Sequence, residues 1–464
     1  MTETMTPPEA LTRDEATAAT ERAELVAQPR TARTGRPRVV VVGAGFGGLN
    51  VARTLANSEV DVLLLDRNNY HGFWPLLYQV ATAGLEPESV AYPVRAILRK
   101  YRNADFRMAE VLGVDFERKQ VLTDGGAVDY DYLVLAAGSA NNYFGNNELA
   151  ERTLGMKDVD EAEHLRNHVL TCFEHAAREE DPERRQALLT FAIIGGGPTG
   201  VELAGAFAEL IRHVLRKDYP MLNVSEARVV LIEAQDKILI SFPASLQRRA
   251  LRRLQQMGVE VRLNSPVADV ADEKVHFKDG SVLPAATVIW AAGVRAAKLA
   301  DTLGVEQGRS ARVQVAPTLN LPDRPEVFVI GDMAYLEGYK PGVAYPMVAQ
   351  VAIQMGKQAG KNILAQVRGQ GMRPFKYFDP GQMATIGRSA AVFDAFGIRL
   401  SGFIAWLGWL FIHLMYLVGF RNRVVVLANW FYNYVTYDRG VRLIVGPKPA
   451  PKQAPELEAH EVGR

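Results

Sequence analysis

A glycine-rich fingerprint of the form G-x-G-x-x-G occurs twice in this chain, and the two copies lie about 150 residues apart. The first copy follows the apolar run Arg38–Val42, and the second follows the apolar run at residues 189–194. Glycines in this strand–turn–helix setting let the backbone turn tightly and approach a pyrophosphate at the helix N-terminus. The doubling predicts two dinucleotide sites in one chain, with these contact residues: Gly43, Gly45, Phe46, Gly47 and Gly48 in the first, and Gly195, Gly197, Pro198, Thr199 and Gly200 in the second.

An acidic residue follows each fingerprint at the end of the next predicted strand. Asp66 ends the predicted strand 60–66, and Glu233 ends the predicted strand 228–233 after a longer connection. An acid in this place hydrogen-bonds a ribose hydroxyl of the bound adenosine, so Asp66, with its neighbour Arg67, is assigned to the first site and Glu233 to the second. Because a carboxylate at Glu233 repels a 2′-phosphate, the second ligand is expected to be NAD(H) rather than NADP(H).

Three later apolar runs end in small residues and are expected to return to these two units. The run 133–139 closes the first unit with Ala137 and Gly138, and the run 288–293 closes the second with Gly293. The run 327–332 ends in Gly-Asp. In this company Asp332 is interpreted as a contact to a flavin ribityl chain, and an ordinary turn is the alternative.

Length, charge and cysteine usage exclude several classes. A chain of 464 residues is long enough for two or three domains. A net charge of +1 gives no electrostatic case for nucleic acid. Cys172 stands alone, so an internal disulfide and a thiolate zinc site are excluded, and no metal is expected. Residues 1–36 and 447–464 are predicted to be disordered tails, since both are rich in polar, charged or proline residues.

The order of these motifs resembles the two-dinucleotide-domain flavoproteins, which share the fold of glutathione reductase. That family binds FAD in the first domain and a nicotinamide nucleotide in the second. Narrower motifs are similar to those of type II NADH dehydrogenases. They are the segment 69–85, the nucleotide loop 200–205, and residues 349–354, which match the pattern A-Q-x-A-x-Q of that family's quinone site. The resemblance covers about residues 37–447.

The resemblance implies roles for three polar residues. Gln350 and Gln354 stand four apart on a predicted helix, so both amides project from one face. The resemblance implies that this pair hydrogen-bonds a quinone carbonyl or the flavin edge, with Ala349 beside the cofactor. The alternative is that the two amides satisfy local backbone. Glu202 is placed at the nicotinamide side of the flavin, where its charge would stabilise the positive ring. The alternative is a glutamate favoured by a helix N-terminus.

The uncharged run at residues 403–420 raises the question of a membrane. As a helix it is about 27 Å long, close to the thickness of a hydrocarbon core. Its aromatic residues recur at spacings of three and four, which predicts one aromatic face at the bilayer interface instead of a span: Phe403, Trp406, Trp409, His413, Tyr416 and Phe420. With the next apolar run, 424–435, it is expected to form a hairpin in one leaflet. The cations expected to meet anionic headgroups are Arg421, Arg423, Arg439 and Arg442.

The expected fold class is α/β, with two Rossmann-like domains and a C-terminal amphipathic helical membrane-anchoring region. The predicted parts are an FAD domain at 37–150 and 296–378, an NADH domain at 151–295 and a membrane-associated region at 379–446. The expected enzyme passes a hydride from NADH to FAD and two electrons to a membrane quinone, without pumping protons. It is expected at the cytoplasmic face of the cell membrane, with a homodimer as one possible assembly.

Two other functions are compatible with the same motifs. One is a soluble ferredoxin- or rubredoxin-type NADH reductase, which would not need the aromatic C-terminal run. The other is a non-enzymatic flavin-based NADH sensor. Reductases of this fold that work through cysteines, including the sulfide:quinone reductases, need reactive thiols beside the flavin, and the lone Cys172 does not supply them.

Overall fold

The computed structural model describes residues 35–146, 148–338, 342–436 and 438–445, so the two predicted tails lie outside it apart from Gly35 and Arg36. Within these ranges the helices are α1 Phe46–Thr54, α2 Leu77–Ala81, α3 Pro87–Val90, α4 Val94–Leu98, α5 Glu148–Arg152, α6 Val159–Ala176, α7 Pro182–Leu188, α8 Pro198–Glu209, α9 Arg216–Asp218, α10 Ala244–Gln256, α11 Ala349–Val367, α12 Phe403–Tyr416 and α13 Phe420–Thr436. A π-helical segment, Leu210–Leu215, joins α8 to α9. Short 3₁₀ turns lie at Trp74–Leu76, Val224–Glu226, Lys298–Thr302, Arg309–Ala311 and Gly331–Met333.

The first glycine loop leaves the middle of a six-stranded sheet. The spatial order is Asn320–Leu321, Arg324–Val329, Tyr132–Leu135, Arg38–Val42, Asp61–Asp66 and Ala104–Met108, and only the first pair is antiparallel. The strand Arg38–Val42 is almost wholly buried because helices cover both faces of a parallel sheet. The sheet takes strands from two distant parts of the chain, with the second nucleotide unit inserted between them.

The second glycine loop leaves a four-stranded parallel sheet of the same design. Its order is Glu260–Arg262, Arg228–Ile232, Thr190–Ile194 and Thr287–Trp290. A two-stranded antiparallel link, Ser139–Asn141 with Val294–Ala296, directly follows Gly138 and Gly293 and joins the two units. One further two-stranded antiparallel sheet pairs Tyr70–Gly72 with Ala91–Pro93. Two three-stranded antiparallel sheets contain Val111–Asp115, Gln120–Thr123 and Gly126–Asp129, and Val267–Ala271, Lys274–Phe277 and Val282–Pro284, respectively. A third contains Gln382–Thr385, Ala391–Ala395 and Ile398–Gly402. A mixed sheet contains Gln307–Gly308, Arg312–Gln314 and Ala334–Tyr335.

The helices α12 and α13 form a helical hairpin that packs on the body of the protein. The turn between them is three residues long, Leu417 to Gly419. The predicted aromatic face of α12 is only partly exposed: Phe403, Tyr416 and Phe420 are exposed, whereas Trp409 is buried. Trp409 is only 1% exposed, and its ring stacks on His413 with centroids 3.9 Å apart. Trp409 also contacts Tyr78 of α2 and Trp430 of α13, so its large apolar surface is buried between these helices.

The exposed stripes of both helices are mainly aliphatic and phenylalanine residues at helical spacing. On α12 they are Ile404, Leu407, Phe411 and Met415, and on α13 they are Phe420, Val424, Leu427, Phe431 and Val435. Other exposed aromatic residues of the two helices are Phe403, Tyr416, Tyr432 and Tyr434. Phe411 is 64% exposed and Phe420 is 81% exposed. Each helix therefore has one side packed on the protein and one apolar side without a cover among the described residues. No helix in the described ranges is both long and apolar enough to cross a bilayer.

Three of the four arginines assigned to headgroups are engaged within the protein. Arg423 donates to the carbonyls of Met415 and Leu417, which caps the C-terminus of α12. Arg439 is almost enclosed and donates to Thr82 O at 2.7 Å. Arg442 pairs with Asp218 at 2.7 Å and with Asp438 at 2.6 Å. The prediction that these three face a bilayer is wrong, because backbone carbonyls and carboxylates of the protein hold them.

Asn422 bonds α13 to three backbone carbonyls of the first domain, and its removal tests the contribution of these bonds to stability. Asn422 is 3% exposed, and its Nδ2 lies within 3.2 Å of the carbonyl oxygens of Glu88, Ser89 and Ala91. We expect N422A to lower the free energy of unfolding by about 1–3 kcal/mol, because buried acceptors lose their donor. Thermal or urea unfolding measures this change.

Asn429 provides the matched control, since its Nδ2 makes one bond, to a Glu86 carboxylate oxygen at 2.8 Å. N429A is expected to cost less than about 1 kcal/mol. Equal losses in the two variants would show that Asn422 has no special part in seating α13.

Candidate functional site

The first glycine loop has the shape that a pyrophosphate requires. Gly43 has a φ of +101°, and a Cβ there would lie 2.3 Å from Ala136 O, so only glycine fits. A Cβ on Gly48 would lie 1.9 Å from Gly43 O, which explains the close packing of α1 on the strand. Around Gly45, by contrast, a Cβ would meet nothing within 4 Å. Gly45 is also the N-cap of α1, with no side chain bonded to the first helical N–H groups.

The second loop repeats this geometry residue by residue. Gly195 has a φ of +119° and a Cβ would lie 2.4 Å from Ala291 O. A Cβ on Gly200 would lie 1.9 Å from Gly195 O, and around Gly197 there is again open space. Gly197 is the N-cap of α8, and Pro198 follows at the first helical turn, where a missing N–H costs nothing. Both loops therefore end at a helix N-terminus with free donors, the arrangement that binds phosphate.

Both predicted acids contact their own glycine loop. Asp66 Oδ2 accepts from Ala44 N at 2.6 Å, and Glu233 Oε2 accepts from Gly196 N at 2.7 Å. The second oxygen of each carboxylate accepts from the backbone two residues further on, at 2.8 Å and 2.9 Å. The acids thus fix the loops and still have lone pairs directed to the same edge. Residues at both loops fit a dinucleotide, with the pyrophosphate at the glycines and the ribose at the acid.

The expected flavin contact at Asp332 is part of a short chain of polar groups. Asp332 Oδ2 accepts from Ser139 Oγ at 2.6 Å, and Lys157 Nζ donates to Ser139 Oγ at 3.0 Å. Burial lowers the pKa of Lys157, while the carboxylates of Asp332 and Glu161 act in the opposite direction. No motif points to Lys157, because a single lysine close to the boundary between two predicted domains matches no pattern. The structure brings Gly138, Ser139 and Asp332 together as expected for one site.

The helix α11 brings the A-Q-x-A-x-Q motif to the first loop. A Cβ on Gly356 would lie 2.3 Å from Gly47 O, and a Cβ on Gly331 would lie 3.2 Å from that of Ala352, so α11 packs directly on α1 and on Gly331. Gln354 holds the Phe378 backbone with both ends of its amide, at 2.8 Å and 3.0 Å. This contact supports the local-backbone alternative for Gln354. The catalytic roles of Gln350 and Gln354 stay predictions.

Glu202 lies in α8 with its carboxyl turned to the strand Gln382–Thr385. Its Oε1 accepts from Thr385 N at 3.2 Å. Burial raises the pKa of Glu202 to about 8, against a small opposing effect of this hydrogen bond. The group is therefore mainly protonated at neutral pH and does not carry the charge that a counter-ion would need. The predicted role beside a positive ring would need that proton to leave.

A chain of hydrogen bonds connects the C-terminal helices to this region. Trp430 Nε1 of α13 donates to Gln79 Oε1 at 2.7 Å, and Gln79 Nε2 donates to the Tyr78 hydroxyl at 3.0 Å. The Tyr78 hydroxyl lies 3.1 Å from Thr385 Oγ1. Burial raises the pKa of Tyr78 above its usual range, so this phenol stays protonated. The chain joins α13, α2 and the strand that bonds Glu202.

A cavity of about 130 Å³ opens beside this chain, and we name it the junction pocket. Its walls come from both domains and both C-terminal helices, and they include Tyr78, Thr385, Ala206, Glu209, Arg388, Trp406, Trp409, Trp430, Asn433 and Arg439. A cavity of roughly 150 Å³ is large enough for one benzene ring. Gln350 and Gln354 are not among the described residues that line it. Sequence reasoning missed most of this wall, because its members come from five separate segments.

Two arginines and one glutamate set the charge of the junction pocket. Arg439 approaches Glu209 Oε2 at 3.5 Å, and Glu209 Oε1 accepts from the backbone N of Arg388. The Arg388 guanidinium lies over the Tyr434 ring, 3.8 Å from its centroid, and donates to Tyr434 O. Glu209 and His213 border the pocket where α8 becomes π-helical, a distortion that is common at functional sites. The wall therefore carries one more positive than negative formal charge.

The single cysteine is not placed for redox chemistry. Cys172 is 4% exposed, and its Sγ lies 3.5 Å from His168 Nε2 and 3.6 Å from Thr287 Oγ1. Burial raises the pKa of this thiol to about 11, so it stays protonated. Within the described residues no cluster of three His, Cys, Asp or Glu side chains forms a metal site.

Two matched dinucleotide loops on two parallel sheets, joined by a short antiparallel link, define a two-dinucleotide-domain oxidoreductase. The family model for pyridine nucleotide-disulphide oxidoreductases matches residues 37–356, and the NDH2 C-terminal domain matches residues 380–436. Two relatives from Mycobacterium tuberculosis are named type II NADH:quinone oxidoreductases, Ndh and NdhA. They are 43% and 40% identical to this chain, covering 87% and 88% of it and 89% of each relative.

The chain belongs to the type II NADH:quinone oxidoreductase family. The predicted family, enzyme class and cofactor pair, FAD and NADH, are confirmed by this membership. The fold is also that of NDH2 from Plasmodium falciparum, solved in complex with NADH. That structure superposes with a TM-score of 0.81 at 19% identity, over 89% of this chain and 100% of the other.

Gly45 and Gly197 have open space around them, so substitutions there can test the two nucleotide sites one at a time. G45A and G197A place a methyl group where no protein atom lies within 4 Å, so both variants are expected to fold. We expect G45A to purify with little or no bound flavin. G197A should keep its flavin spectrum and bind NADH at least about tenfold more weakly, a loss of about 1.4 kcal/mol. G43A serves as the contrasting variant, because its methyl group clashes with Ala136 and should lower stability itself. A yellow G45A protein would contradict the assignment of the first loop.

The raised pKa of Glu202 predicts a stability difference that depends on pH. Between pH 4.5 and about 8 the folded protein holds a proton that the unfolded chain releases, so folding becomes less favourable as pH rises. E202Q has no such proton, and its stability relative to wild type should increase through this window by on the order of 2–4 kcal/mol. Urea unfolding at pH 5 and pH 9 (roughly the two limits of the window) measures the difference. Glu180 is exposed, so the control variant E180Q should be as stable as wild type at both pH values. If E202Q also matched wild type at both pH values, Glu202 would not have a raised pKa.

Proposed function

We propose that this chain oxidises NADH in the second nucleotide site, uses FAD in the first, and reduces a membrane quinone whose ring enters the junction pocket. One observation carries the proposal: the pocket lies between the nucleotide-binding body and two helices whose outer sides are exposed apolar stripes. A quinone dissolved in lipid would reach it from those helices. FAD, when bound, supplies the chemistry that takes a hydride from NADH and returns two electrons to the quinone.

The chain's own residues supply shape and polarity at the pocket. The hydroxyls of Tyr78 and Thr385 and the guanidinium of Arg388 are donors beside a space large enough for one ring. The excess positive charge of the wall favours an oxygen that becomes negative during reduction. Glu202, protonated at neutral pH, holds a proton one hydrogen bond from Thr385. These groups can stabilise a quinone oxygen without any nucleophile.

The C-terminal stripes are proposed to lie in one leaflet of the bilayer, which makes the protein a monotopic membrane enzyme. Their residues recur every three or four positions on α12 and α13, as in helices that lie in the plane of an interface. NADH is a cytoplasmic solute, so the expected location is the cytoplasmic face of the cell membrane. A homodimer that covers part of the same stripes stays a prediction.

Filling the junction pocket tests the proposal. Ala206 of α8 is 5% exposed and borders the cavity, so A206L adds three carbon atoms to it. We expect the rate with a short-chain quinone to fall by about tenfold or more, a change of about 1.4 kcal/mol in the activation barrier. Bleaching of the flavin by NADH, and electron transfer to ferricyanide, should stay near the wild-type rate, because neither needs a quinone in the pocket. An unchanged quinone rate in a well-folded A206L protein would place the quinone elsewhere.

A further inference from the structure

The helix α10 of the second nucleotide domain carries four arginines and no acidic residue. Its inner side, Leu246, Ala250 and Leu254, is buried in the core. Arg248, Arg249 and Arg252 are exposed, and within the described ranges none of the three forms an ion pair with a carboxylate. We name these three residues the arginine row.

The arginine row lies beside the start of the C-terminal hairpin. Arg249 donates to Ser401 Oγ, and the neighbouring Arg253 donates to Arg388 O at 3.1 Å. Ser401 belongs to the strand Ile398–Gly402, which leads directly into α12. Arg249 therefore lies next to the N-terminal end of the exposed apolar stripe on α12, and Arg248 and Arg252 are exposed on the same helix.

An apolar turn lies at the other end of the same strand. Phe396, between the strands Ala391–Ala395 and Ile398–Gly402, has a φ of +52° and is 71% exposed. A bulky residue is rarely found in this left-handed region, and here its ring is also left in water. Ile398 and Leu400 are exposed on the following strand, and the Phe396 ring contacts that of the exposed Phe378, with centroids 5.8 Å apart. An exposed apolar cluster of this kind marks a contact surface.

A bilayer with anionic headgroups matches this combination better than a second protein copy. Cations beside an apolar cluster are the pattern of interfacial membrane binding. Of the four arginines predicted to meet headgroups, three are held inside the protein by Met415, Leu417, Thr82 and Asp218, so they do not supply that charge. A two-fold dimer through this surface would bring both copies of the same positively charged patch into one interface.

We propose that the arginine row binds anionic lipid headgroups while Phe396 and Ile398 enter the bilayer interface, so that the nucleotide-binding domain itself touches the membrane. This inference rests on the proposed placement of α12 and α13 in the same leaflet. It adds a second attachment point, which restricts how the body of the enzyme can rotate about the hairpin.

Vesicle binding of the full-length protein tests the inference. The variant R248Q/R249Q/R252Q should bind vesicles of phosphatidylcholine mixed with phosphatidylglycerol roughly 10- to 100-fold more weakly than wild type. Its binding to phosphatidylcholine alone should be unchanged, because those vesicles carry no net charge. F396S should weaken binding to both kinds of vesicle. The control R178Q/K274Q/K278Q removes the same charge from exposed positions of the same domain and should bind nearly as wild type.

Each outcome decides between the two proposals. If the triple variant binds anionic vesicles as wild type does, or if the control loses as much affinity, the arginine row has no specific role and the inference is wrong. If the triple variant changes the oligomeric state in detergent, the surface is a subunit interface, and the inference is again wrong. Wild-type protein that binds neither vesicle would overturn the membrane placement of α12 and α13 as well. NADH oxidation with a short-chain quinone in detergent should be equal in all variants, and its absence in wild type would count against the proposed function alone.

Discussion

Each nucleotide site depends on a glycine that follows a strand and lies so close to a backbone carbonyl oxygen that no side chain fits. Gly43 and Gly195 occupy left-handed backbone with no room for a side chain, and each loop is then held by a carboxylate from the next strand. This restraint keeps the first helical N–H groups of α1 and α8 pointing into open space. Because contacts within the protein fix the backbone of each loop, less conformational entropy is lost when a dinucleotide binds.

The helix α8 links the nucleotide loop to the junction pocket. It begins at Gly197 in the loop, presents Glu202 to Thr385, and ends with Ala206 and Glu209 at the pocket wall. Twelve residues of helix span about 18 Å, so one rigid element sets the separation of the two sites. The C-terminal hairpin then closes the far side through Trp409 and Trp430.

Local pattern was enough to predict the two nucleotide units, because strand, glycine turn and acid follow each other within one short βαβ segment. The strands Arg38–Val42 and Thr190–Ile194 and the contacts of Asp66 and Glu233 belong to this part. The junction pocket was out of reach, since Tyr78 and Trp430 come together only after the whole chain has folded.

For the same reason the burial of Trp409, within the predicted aromatic face of α12, could not be predicted. Spacing alone shows which residues share a side of a helix, but not which side meets the protein. Arg439 shows the same limit for charged residues. A cation after an apolar run is equally suited to a lipid headgroup and to a carboxylate of the protein such as Glu209.

The contact between Arg439 and Glu209 also has a mechanical consequence. The segment 438–445 continues from Arg439 through Arg442 at Asp218 to Val445 at Asn167, which ties the end of the hairpin across α9 to α6. A pull on the hairpin would therefore be transmitted to the wall of the junction pocket, and a protein cut after Thr436 would lose that tether together with the ion-pair partner of Glu209.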